Sequence, residues 1–446
     1  MRIKFNTLPL LCLLLFGRVF SQSVNTAKLD SLFNSLEQNN KAMGSVAISK
    51  NGKIVYSKAI GYSLMNGNNK VNANTNSRYR IGSISKMFTA TIIFQLIEEN
   101  KIALNTPISN YFPTLPNATI ITISHLLNHR SGLHNFTDDP DYSKWMTKAH
   151  TQKEMLAIIT KGKFDFEPDN KASYSNSNYL VLGYIIEKIC NKKYKNVLEE
   201  RISSKINLSN TYYGGKTSHA NNECFSFQYV TNWKQVPETD MTDMSIPHGA
   251  GALVSTPTDL TTFLDALFKN KLVNQSSLDK MKTLTDGYGM GMFQFPFYTK
   301  KGFGHTGGID GFSSVAAYFP DDSTSVAYCT NGVVYPMNDI LIAVLSIYYN
   351  KPYQIPSFKN IVLSGEELNK YLGTYSSTEA PIKMTISKDK SSLIAQASGQ
   401  SSFPLEPYGT DRFKFERVGI IIEFNLTKNE LLLKQSGSQI VFTKDK

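Results

Sequence analysis

The chain has 446 residues, of which 41% are hydrophobic and 19% are charged. This composition excludes a disordered or low-complexity chain and provides enough apolar side chains for a large buried core. Basic residues outnumber acidic ones by 47 to 36. They are scattered, without the Lys/Arg runs typical of nucleic-acid-binding segments, so we expect no nucleic-acid partner.

The first residues have the pattern of a secretory signal peptide over 1–21. Arg2 and Lys4 precede an apolar stretch, 8–16, and Ser21 ends a segment that suits signal peptidase. The apolar stretch is much shorter than the ~20 residues needed to span a bilayer. The sequence thus predicts an exported protein, periplasmic or secreted, with no transmembrane segment in its mature form.

Three cysteines follow that segment: Cys190, Cys224 and Cys329. An odd, widely spaced set allows at most one intramolecular disulfide and lacks the paired short spacings of a zinc site. We expect buried free thiols, although the sequence leaves open whether two of them pair.

A β-hairpin is predicted at the start of the mature chain. Strands 45–50 and 53–60 are joined by Asn51 and Gly52, and Asn-Gly is the two-residue turn that matches the twist of paired strands. The segment 84–97 then places apolar residues at helical spacing, which indicates a buried helix. Further helices are predicted at 125–128, 178–190 and 257–268.

Strand patterns return after residue 288 with short loops between them, as in an antiparallel sheet. The predicted strands are 290–298, 304–305, 313–318 and 325–330, with turns at 300–302 and 320–323 and a last helix at 339–349. After a linker at 351–356, short strand-like runs predict a small β-sandwich or barrel over 357–446. Its runs are 382–387, 393–397, 413–415, 420–424, 430–434 and 440–443, preceded by one helical stripe at 366–371.

Ser83 and Lys86 form the first candidate catalytic pair. Residues three apart in the first turn of a helix share a face, so the Lys86 amine can reach the Ser83 hydroxyl. A serine needs such a neighbour because its free hydroxyl is a poor nucleophile. The same spacing occurs at Ser277 and Ser387, but only Ser83 follows a glycine and begins a strongly apolar helix. Burial there would lower the pKa of Lys86 and let it act as a base.

Two further groups of residues complete a possible site. Tyr174 and Asn176 precede the helix at 178–190. A phenol near an ammonium has a lowered pKa and can relay protons. A side-chain amide can hold both the lysine and the substrate. His305, Thr306 and Gly307 lie on a predicted strand edge, where glycines allow close approach of a substrate. The next residue offers a backbone amide as an oxyanion donor.

In this order, the three motifs resemble the penicillin-recognising serine hydrolases, specifically the class C β-lactamase and DD-peptidase family. The flanking sequences strengthen the resemblance, which covers about 25–350: they are YRIGSISK at 79–86, ISHLLNHRSGL at 123–133, FEPDNKASYSNSNYLVLG at 166–183, GALVSTPTDL at 251–260 and GHTGG at 304–308. The family implies an α/β sandwich of the β-lactamase/transpeptidase type, an antiparallel sheet flanked by helices. Here a small all-β domain would follow, giving 22–350 as the hydrolase domain, 351–356 as linker and 357–446 as the second domain.

The resemblance also implies a role for each motif residue. Ser83 would be the acylated nucleophile, Lys86 and Tyr174 the shared base and later acid, and Asn176 the residue that orients lysine and substrate. The backbone amides of Ser83 and Gly308 would form the oxyanion hole. His305, Thr306 and Gly307 would bind substrate along the strand, and no metal or other cofactor is implied.

His305 departs from the lysine usual in class C β-lactamases. An imidazole with an ordinary pKa near 6.5 carries little charge at neutral pH and should attract a substrate carboxylate less strongly. We therefore expect an exported serine hydrolase of a small-molecule or peptide amide or ester, resembling D-Ala-D-Ala carboxypeptidases, D-aminopeptidases or esterases. The alternatives are a β-lactamase and a penicillin-binding or sensory module with little turnover; the oligomeric state stays open.

His125 and His129 are four residues apart and His134 follows, a spacing that can bind a metal on one helical face. Leu126 stands where a zinc protease would need a glutamate beside the first histidine. The family resemblance implies that this segment is structural. Substrate preference is expected to depend on two loops, 136–148 and 212–242.

Overall fold

A computed structural model describes residues 24–67, 69–162, 164–358, 363–390, 392–415, 419–435 and 438–445. The predicted signal peptide, 1–21, lies outside these residues. The chain divides into two compact units: Ala42–Tyr353 with the residues before Ser31, and Ser31–Lys41 with Gln354–Lys446. Every helix within the described ranges is too short or too polar to span a bilayer.

A six-stranded antiparallel sheet forms the centre of the larger unit, and its strands come from both ends of that unit. Their order across the sheet is Phe293–Phe297, Lys300–Ile309, Phe312–Phe319, Thr324–Val333, Ala42–Lys50 and Lys53–Ile60. The predicted hairpin is confirmed, with φ of 54° at Asn51 and 84° at Gly52, the left-handed values that its tight turn requires. Pairing of Ala42–Lys50 with Thr324–Val333 joins the two ends of the unit in one sheet.

Helices from the middle of the chain complete the larger unit and share its core. The Ser85–Glu98 helix is buried from Ser85 to Leu96, which confirms the predicted buried helix. The Pro257–Phe268 helix packs on the central strands, and its Phe263 ring stacks on Phe88 with centroids 3.8 Å apart. The α-helices of the described chain are Thr26–Gln38, Ser85–Glu98, Ile123–Leu127, Tyr142–Trp145, Gln152–Lys161, Asn176–Cys190, Tyr194–Leu198, Pro257–Phe268, Gln275–Lys282 and Met337–Tyr348.

One predicted turn is wrong. The segment 300–302 is not a turn but the start of the strand Lys300–Ile309, which runs unbroken through the GHTGG motif. Lys300 pairs with Phe297, so the chain reverses at the two intervening residues, and Tyr298 has a left-handed φ of 51°. The lysines and glycine suggested a turn, but backbone pairing with the aromatic strand Phe293–Phe297 makes these residues part of the sheet.

The smaller unit contains a closed eight-stranded antiparallel barrel. Its strands are Gly373–Ser376, Lys383–Asp389, Ser392–Ala397, Phe403–Gly409, Arg412–Phe415, Ile420–Asn425, Glu430–Gln435 and Ser438–Lys444. The first and fourth strands were not predicted from the sequence. Tyr375 pairs with Lys444 to close the barrel, whose interior is filled by apolar side chains. The predicted fold class, an antiparallel sheet flanked by helices with an additional all-β unit, is confirmed.

The three cysteines of the described chain are free thiols. Cys224 and Cys329 are buried, and burial raises the pKa of the Cys224 thiol to about 12. Thiols held in this way are unreactive, so these cysteines act as small core side chains.

Candidate active site

Ser83 lies in a short 3₁₀ turn, Gly82–Ile84, that leads directly into the Ser85–Glu98 helix. The turn needs glycine before the serine: Gly82 has a φ of 50°, and a Cβ there would lie 2.8 Å from the amide nitrogen of Gly308. Glycine thus lets two backbone segments touch. As a result, the half-buried Ser83 faces the end of the strand that carries Gly308.

Lys86 is completely buried, and its amine has three hydrogen-bond partners. The Nζ atom lies 3.0 Å from Ser83 Oγ, 2.8 Å from Asn176 Oδ1 and 2.8 Å from the carbonyl oxygen of Ala250. Burial lowers the pKa of Lys86 well below its usual value. The amide and carbonyl oxygens can only accept, so a neutral amine that donates to both directs its lone pair at the Ser83 hydroxyl.

Tyr174 is half-buried beside this pair, with Lys86 Nζ 4.9 Å from its ring centroid. Burial raises the pKa of Tyr174 above its ordinary value, although a side-chain hydrogen bond with Ser83 opposes the shift. The expectation of a lowered pKa is wrong, because desolvation outweighs the lowering by the Ser83 hydrogen bond. Tyr174 is therefore a neutral phenol that holds a proton within reach of Ser83.

Asn176 begins the Asn176–Cys190 helix, and both ends of its side-chain amide are engaged. Its Oδ1 accepts from Lys86, while its Nδ2 donates to Thr137 Oγ1 at 3.1 Å. The backbone nitrogen of Asn176 donates to Asn135 Oδ1 at 2.9 Å. Sequence reasoning missed Thr137 and Asn135, since neither residue stands out until the loop folds onto the helix.

His305 lies behind the site and is only 2% exposed. Its Nδ1 lies 2.5 Å from the Thr306 carbonyl oxygen, which assigns the proton to Nδ1 and leaves a lone pair on Nε2. Burial, with a smaller contribution from the charge of Lys86, lowers the pKa of His305 to about 3. The Phe293 ring lies 4.4 Å away and the Tyr174 ring 6.2 Å away. His305 is thus an uncharged, buried neighbour of the tyrosine.

The remaining residues of the motif lie on an open part of the strand. The outer strand pairs only as far as Gly304, opposite Phe293, so the following residues extend beyond it. Thr306 and Gly308 are exposed, and Gly307 lies where a Cβ would be 2.0 Å from the carbonyl oxygen of Ile81. The glycines thereby bring this strand against the Ser83 turn, and Gly308 lines the cavity.

A cavity of about 660 Å³ opens beside Ser83, Asn176 and Gly308. The two loops expected to govern substrate preference both line it. The lining residues from these loops are Phe136, Thr137, Tyr142, Met146, Gln228, Val230, Lys234, Gln235, Val236, Pro237, Asp240 and Thr242. One wall is therefore rich in aromatic and apolar side chains, which suits a substrate with an apolar part.

A buried ion pair that the sequence did not reveal fixes one wall of the cavity. Arg80 Nη1 lies 2.7 Å from Asp310 Oδ2, and both side chains are less than a tenth exposed. Asp310 Oδ1 also accepts from the backbone nitrogen and hydroxyl of Thr242, at 3.0 and 2.6 Å. Through these contacts, Asp310, in the turn after the strand Lys300–Ile309, is linked to Thr242 in the loop 212–242. The charges of the ion pair are matched by further hydrogen bonds, as buried ions require.

The three histidines of the candidate metal spacing have separate partners. His125 Nδ1 accepts from the Thr122 amide in a capping box, and His134 lies between Asp139 and Asp165, at 3.1 and 2.9 Å. His129 packs beneath Tyr174. Each ring is thus accounted for by a local contact within the larger unit.

Comparisons with known proteins agree with this fold. The model of the Beta-lactamase family matches residues 29–346. A penicillin-binding protein of Bacillus subtilis (strain 168) is 25% identical over 450 residues, which cover 92% of this chain and 97% of that protein. The teichoic acid D-alanine hydrolase of Staphylococcus aureus is 27% identical over 291 residues, covering 62% of this chain and 70% of that protein.

Among solved structures, D-amino acid amidase from Ochrobactrum anthropi SV3, in complex with L-phenylalanine amide, aligns with a TM-score of 0.65 at 25% identity. The alignment covers 72% of this chain and 99% of the amidase. The matched family region takes in the whole six-stranded sheet, the helices from Ser85–Glu98 to Gln275–Lys282 and every motif residue described above. The chain therefore belongs to the β-lactamase family and is a serine hydrolase.

Proposed function

We propose that this hydrolase forms an acyl-enzyme on Ser83 and cleaves amides or esters of D-amino acids, with a leaving group that carries no carboxylate. The observation that carries the proposal is the position of the fully buried Lys86 amine. It lies 3.0 Å from the Ser83 hydroxyl, and its other two partners, Asn176 Oδ1 and the Ala250 carbonyl oxygen, can only accept hydrogen bonds. That arrangement supports a neutral base directed at the nucleophile.

In the proposed acylation, the lone pair of Lys86 takes the proton of Ser83 as Oγ bonds to the substrate carbonyl carbon. The backbone amides of Ser83 and Gly308 stabilise the oxyanion; loss of one such donor typically costs about 10²–10³ in rate. Tyr174 donates its proton to the leaving nitrogen or oxygen as the scissile bond breaks, and the Lys86 ammonium then reprotonates the phenolate. Water attacks the acyl-enzyme by the reverse proton transfers.

The charges around the cavity support the substrate class. The buried His305 is neutral, with a pKa of about 3, and so supplies no fixed cation for a carboxylate. The described cavity lining includes one basic side chain, Lys234, and two acidic ones, Asp240 and Asp310. Arg80 neutralises Asp310, whereas Asp240 is exposed and can attract an ammonium group. Lys234 is exposed as well, so these two charges balance, and the neutral His305 is the feature that favours an amino-acid amide or ester over a peptide ending in a free carboxylate.

The names of two relatives point in the same direction. One is a D-amino acid amidase and the other a teichoic acid D-alanine hydrolase, so both names specify a D-amino acid. A D-alanyl ester or D-amino-acid amide is therefore the first substrate to test.

The test compares D-alanine and D-phenylalanine amides with their L enantiomers and with a peptide ending in D-Ala-D-Ala. We expect the D-amides to have the highest kcat/KM and mass spectrometry to find the acyl group on Ser83. Ser83→Ala should abolish both signals. Turnover that persists in Ser83→Ala would overturn the acyl-enzyme proposal, and a preference for the carboxylate-ended peptide would overturn the substrate class.

A second candidate activity follows from the similarity to a penicillin-binding protein over 92% of this chain. Such an enzyme would be acylated by penicillins without rapid turnover. Nitrocefin separates the possibilities: fast hydrolysis indicates a β-lactamase, and slow acylation of Ser83 with little release indicates a penicillin-binding peptidase. Acylation without hydrolysis of any amide or ester would favour a sensory module.

We also propose that the protein is exported after cleavage of a signal peptide at 1–21, and that its domains are 22–350 and 357–446, joined by 351–356. The positive start, short apolar stretch and small residues before Gln22 support export. The N-terminal sequence of the protein recovered from its native host tests this; an N-terminus that begins at Met1 would overturn it.

A further inference from the structure

His129 contacts the chain on both sides of Tyr174. Its backbone carbonyl accepts a hydrogen bond from the Ser173 amide at 2.9 Å, and its ring Nδ1 accepts from the Ser175 amide at 3.1 Å. The Asn178 side chain approaches the same ring nitrogen at 3.3 Å. One residue therefore fixes the peptide groups before and after the tyrosine.

The imidazole of His129 also supports the tyrosine ring itself. The two rings stack with centroids 4.5 Å apart and an angle of 29° between planes. On its other sides, the imidazole meets the rings of Tyr179 at 5.2 Å and Tyr288 at 5.4 Å. The His129 side chain is only 2% exposed, so this aromatic group has little freedom to move.

The backbone and protonation of His129 are both specific. The φ of His129 is 61°, in the left-handed region that few residues other than glycine adopt, with Asn, Asp and His the most frequent of them. Because Nδ1 faces a backbone N–H donor, the ring must be neutral, with its proton on Nε2. Burial lowers the pKa of His129 well below its usual value, in agreement with that geometry.

We infer that His129 is a positioning residue for proton transfer by Tyr174, holding the phenol at the Ser83 hydroxyl through its ring stack and the two flanking hydrogen bonds. This inference rests on the proposed role of Tyr174 in protonating the leaving group. It makes a specific demand: loss of His129 should matter most when the leaving group needs a proton, because an acid–base group contributes about 10²–10⁴ in rate.

This prediction is tested with a pair of substrates that share the same acyl group but differ in the leaving group. A p-nitroanilide needs protonation as it departs, whereas a p-nitrophenolate leaves without it. The kcat/KM ratio for the anilide and ester of the same D-amino acid is independent of the fraction of folded enzyme. A merely structural defect lowers both rates equally and leaves the ratio unchanged, so the ratio reports on the tyrosine.

Two substitutions separate the contacts of His129. His129→Asn keeps an acceptor near the Nδ1 position and tolerates the left-handed φ, while His129→Phe keeps an aromatic ring but removes the acceptor. We expect His129→Phe to lower kcat/KM for the anilide by about 10-fold or more and for the ester by less than about 3-fold. His129→Asn should recover the part of the loss that comes from the hydrogen bond with the Ser175 amide, and His125→Asn, four residues earlier and outside the site, should leave the ratio unchanged.

A double-mutant cycle completes the test, because residues that act through one group are not additive. After Tyr174→Phe, which should lower anilide hydrolysis strongly, His129→Phe should add less than about a 2-fold loss. An unchanged ratio in His129→Phe, or a full additional loss in the double variant, would overturn the inference while leaving the role of Tyr174 intact. Unchanged anilide hydrolysis by Tyr174→Phe alone would overturn both.

Discussion

The side-chain amide of Asn176 donates to the hydroxyl of Thr137 at 3.1 Å while its oxygen accepts from Lys86 at 2.8 Å. Thr137 therefore sets the orientation of the amide from the side opposite the lysine. Without that acceptor, the Asn176 amide can rotate so that its nitrogen, rather than its oxygen, faces Lys86. The amide N–H groups would then oppose the N–H groups of the lysine amine.

Thr137→Val removes this acceptor with little change in side-chain volume. We expect kcat/KM to fall about 3- to 10-fold, which corresponds to the ~0.5–1.5 kcal/mol of an ordinary hydrogen bond. The melting temperature should change little because Thr137 lines the cavity, where water can satisfy the freed amide. Thr137→Ser keeps the hydroxyl and should retain wild-type activity; a loss in Thr137→Ser equal to that in Thr137→Val would contradict an orienting role that depends on the hydroxyl alone.

The pH dependence of kcat/KM should have one acid limb, which belongs to Lys86, and no limb that belongs to His305. The neutral amine of Lys86 is the base and its pKa is lowered, so activity rises as pH rises through that pKa. Tyr174 has a raised pKa and keeps its proton through neutral and mildly alkaline pH. His305 is already neutral above its pKa of about 3. A rate profile measured between pH 4 and 10 checks these assignments.

His305→Lys places a possible cation next to Lys86 and should change that profile. A nearby positive charge lowers the pKa of Lys86 further, so the acid limb should move to lower pH. The same charge should improve kcat/KM for penicillin or a carboxylate-ended peptide relative to a D-amino-acid amide. His305→Gln, which adds no charge, is the control; an identical shift in it would refute the electrostatic explanation.

Gly82→Ala should inactivate the enzyme. The new Cβ would lie 2.8 Å from the Gly308 nitrogen and 2.9 Å from its oxygen, at a residue whose φ is 50°. The strand must move away from Ser83, which separates the two proposed oxyanion donors, and we expect kcat to fall by about 10²–10³. Gly215→Ala is a matched control because nothing lies within 4 Å of its Cβ position. Its kcat and melting temperature should stay close to wild type.

Stability should depend on pH through His134. Burial alone would lower its pKa, but hydrogen bonds and charge from Asp165 and Asp139 raise it above the ordinary value of 6.5. A raised pKa in the folded state stabilises the protein fully below about pH 6.5, and the contribution is lost as pH rises through the folded value. The melting temperature of wild type relative to His134→Asn should thus decrease from pH 6 upwards. A constant difference between pH 5 and 9 would contradict this.

The sequence by itself determined the elements whose causes are local. The Asn51–Gly52 turn specifies its hairpin, and the apolar pattern after Ser83 specifies a buried helix that brings Lys86 to the serine hydroxyl. Motif order then identified the family, and with it the sheet formed from both ends of the larger unit. The hairpin and the helix follow from turn chemistry and from periodicity, which neighbouring residues express without the rest of the fold, whereas the joined sheet was implied by the family resemblance.

Only the tertiary structure decided the electrostatics and the support of the site. The pKa of Tyr174 is raised rather than lowered, and the pKa of His305 falls to about 3, because both residues lie where their surroundings exclude water. The strand at Lys300 and the contacts of Thr137 and His129 likewise depend on partners distant in the sequence. Desolvation and long-range pairing are properties of the assembled packing, so no local pattern along the chain records them.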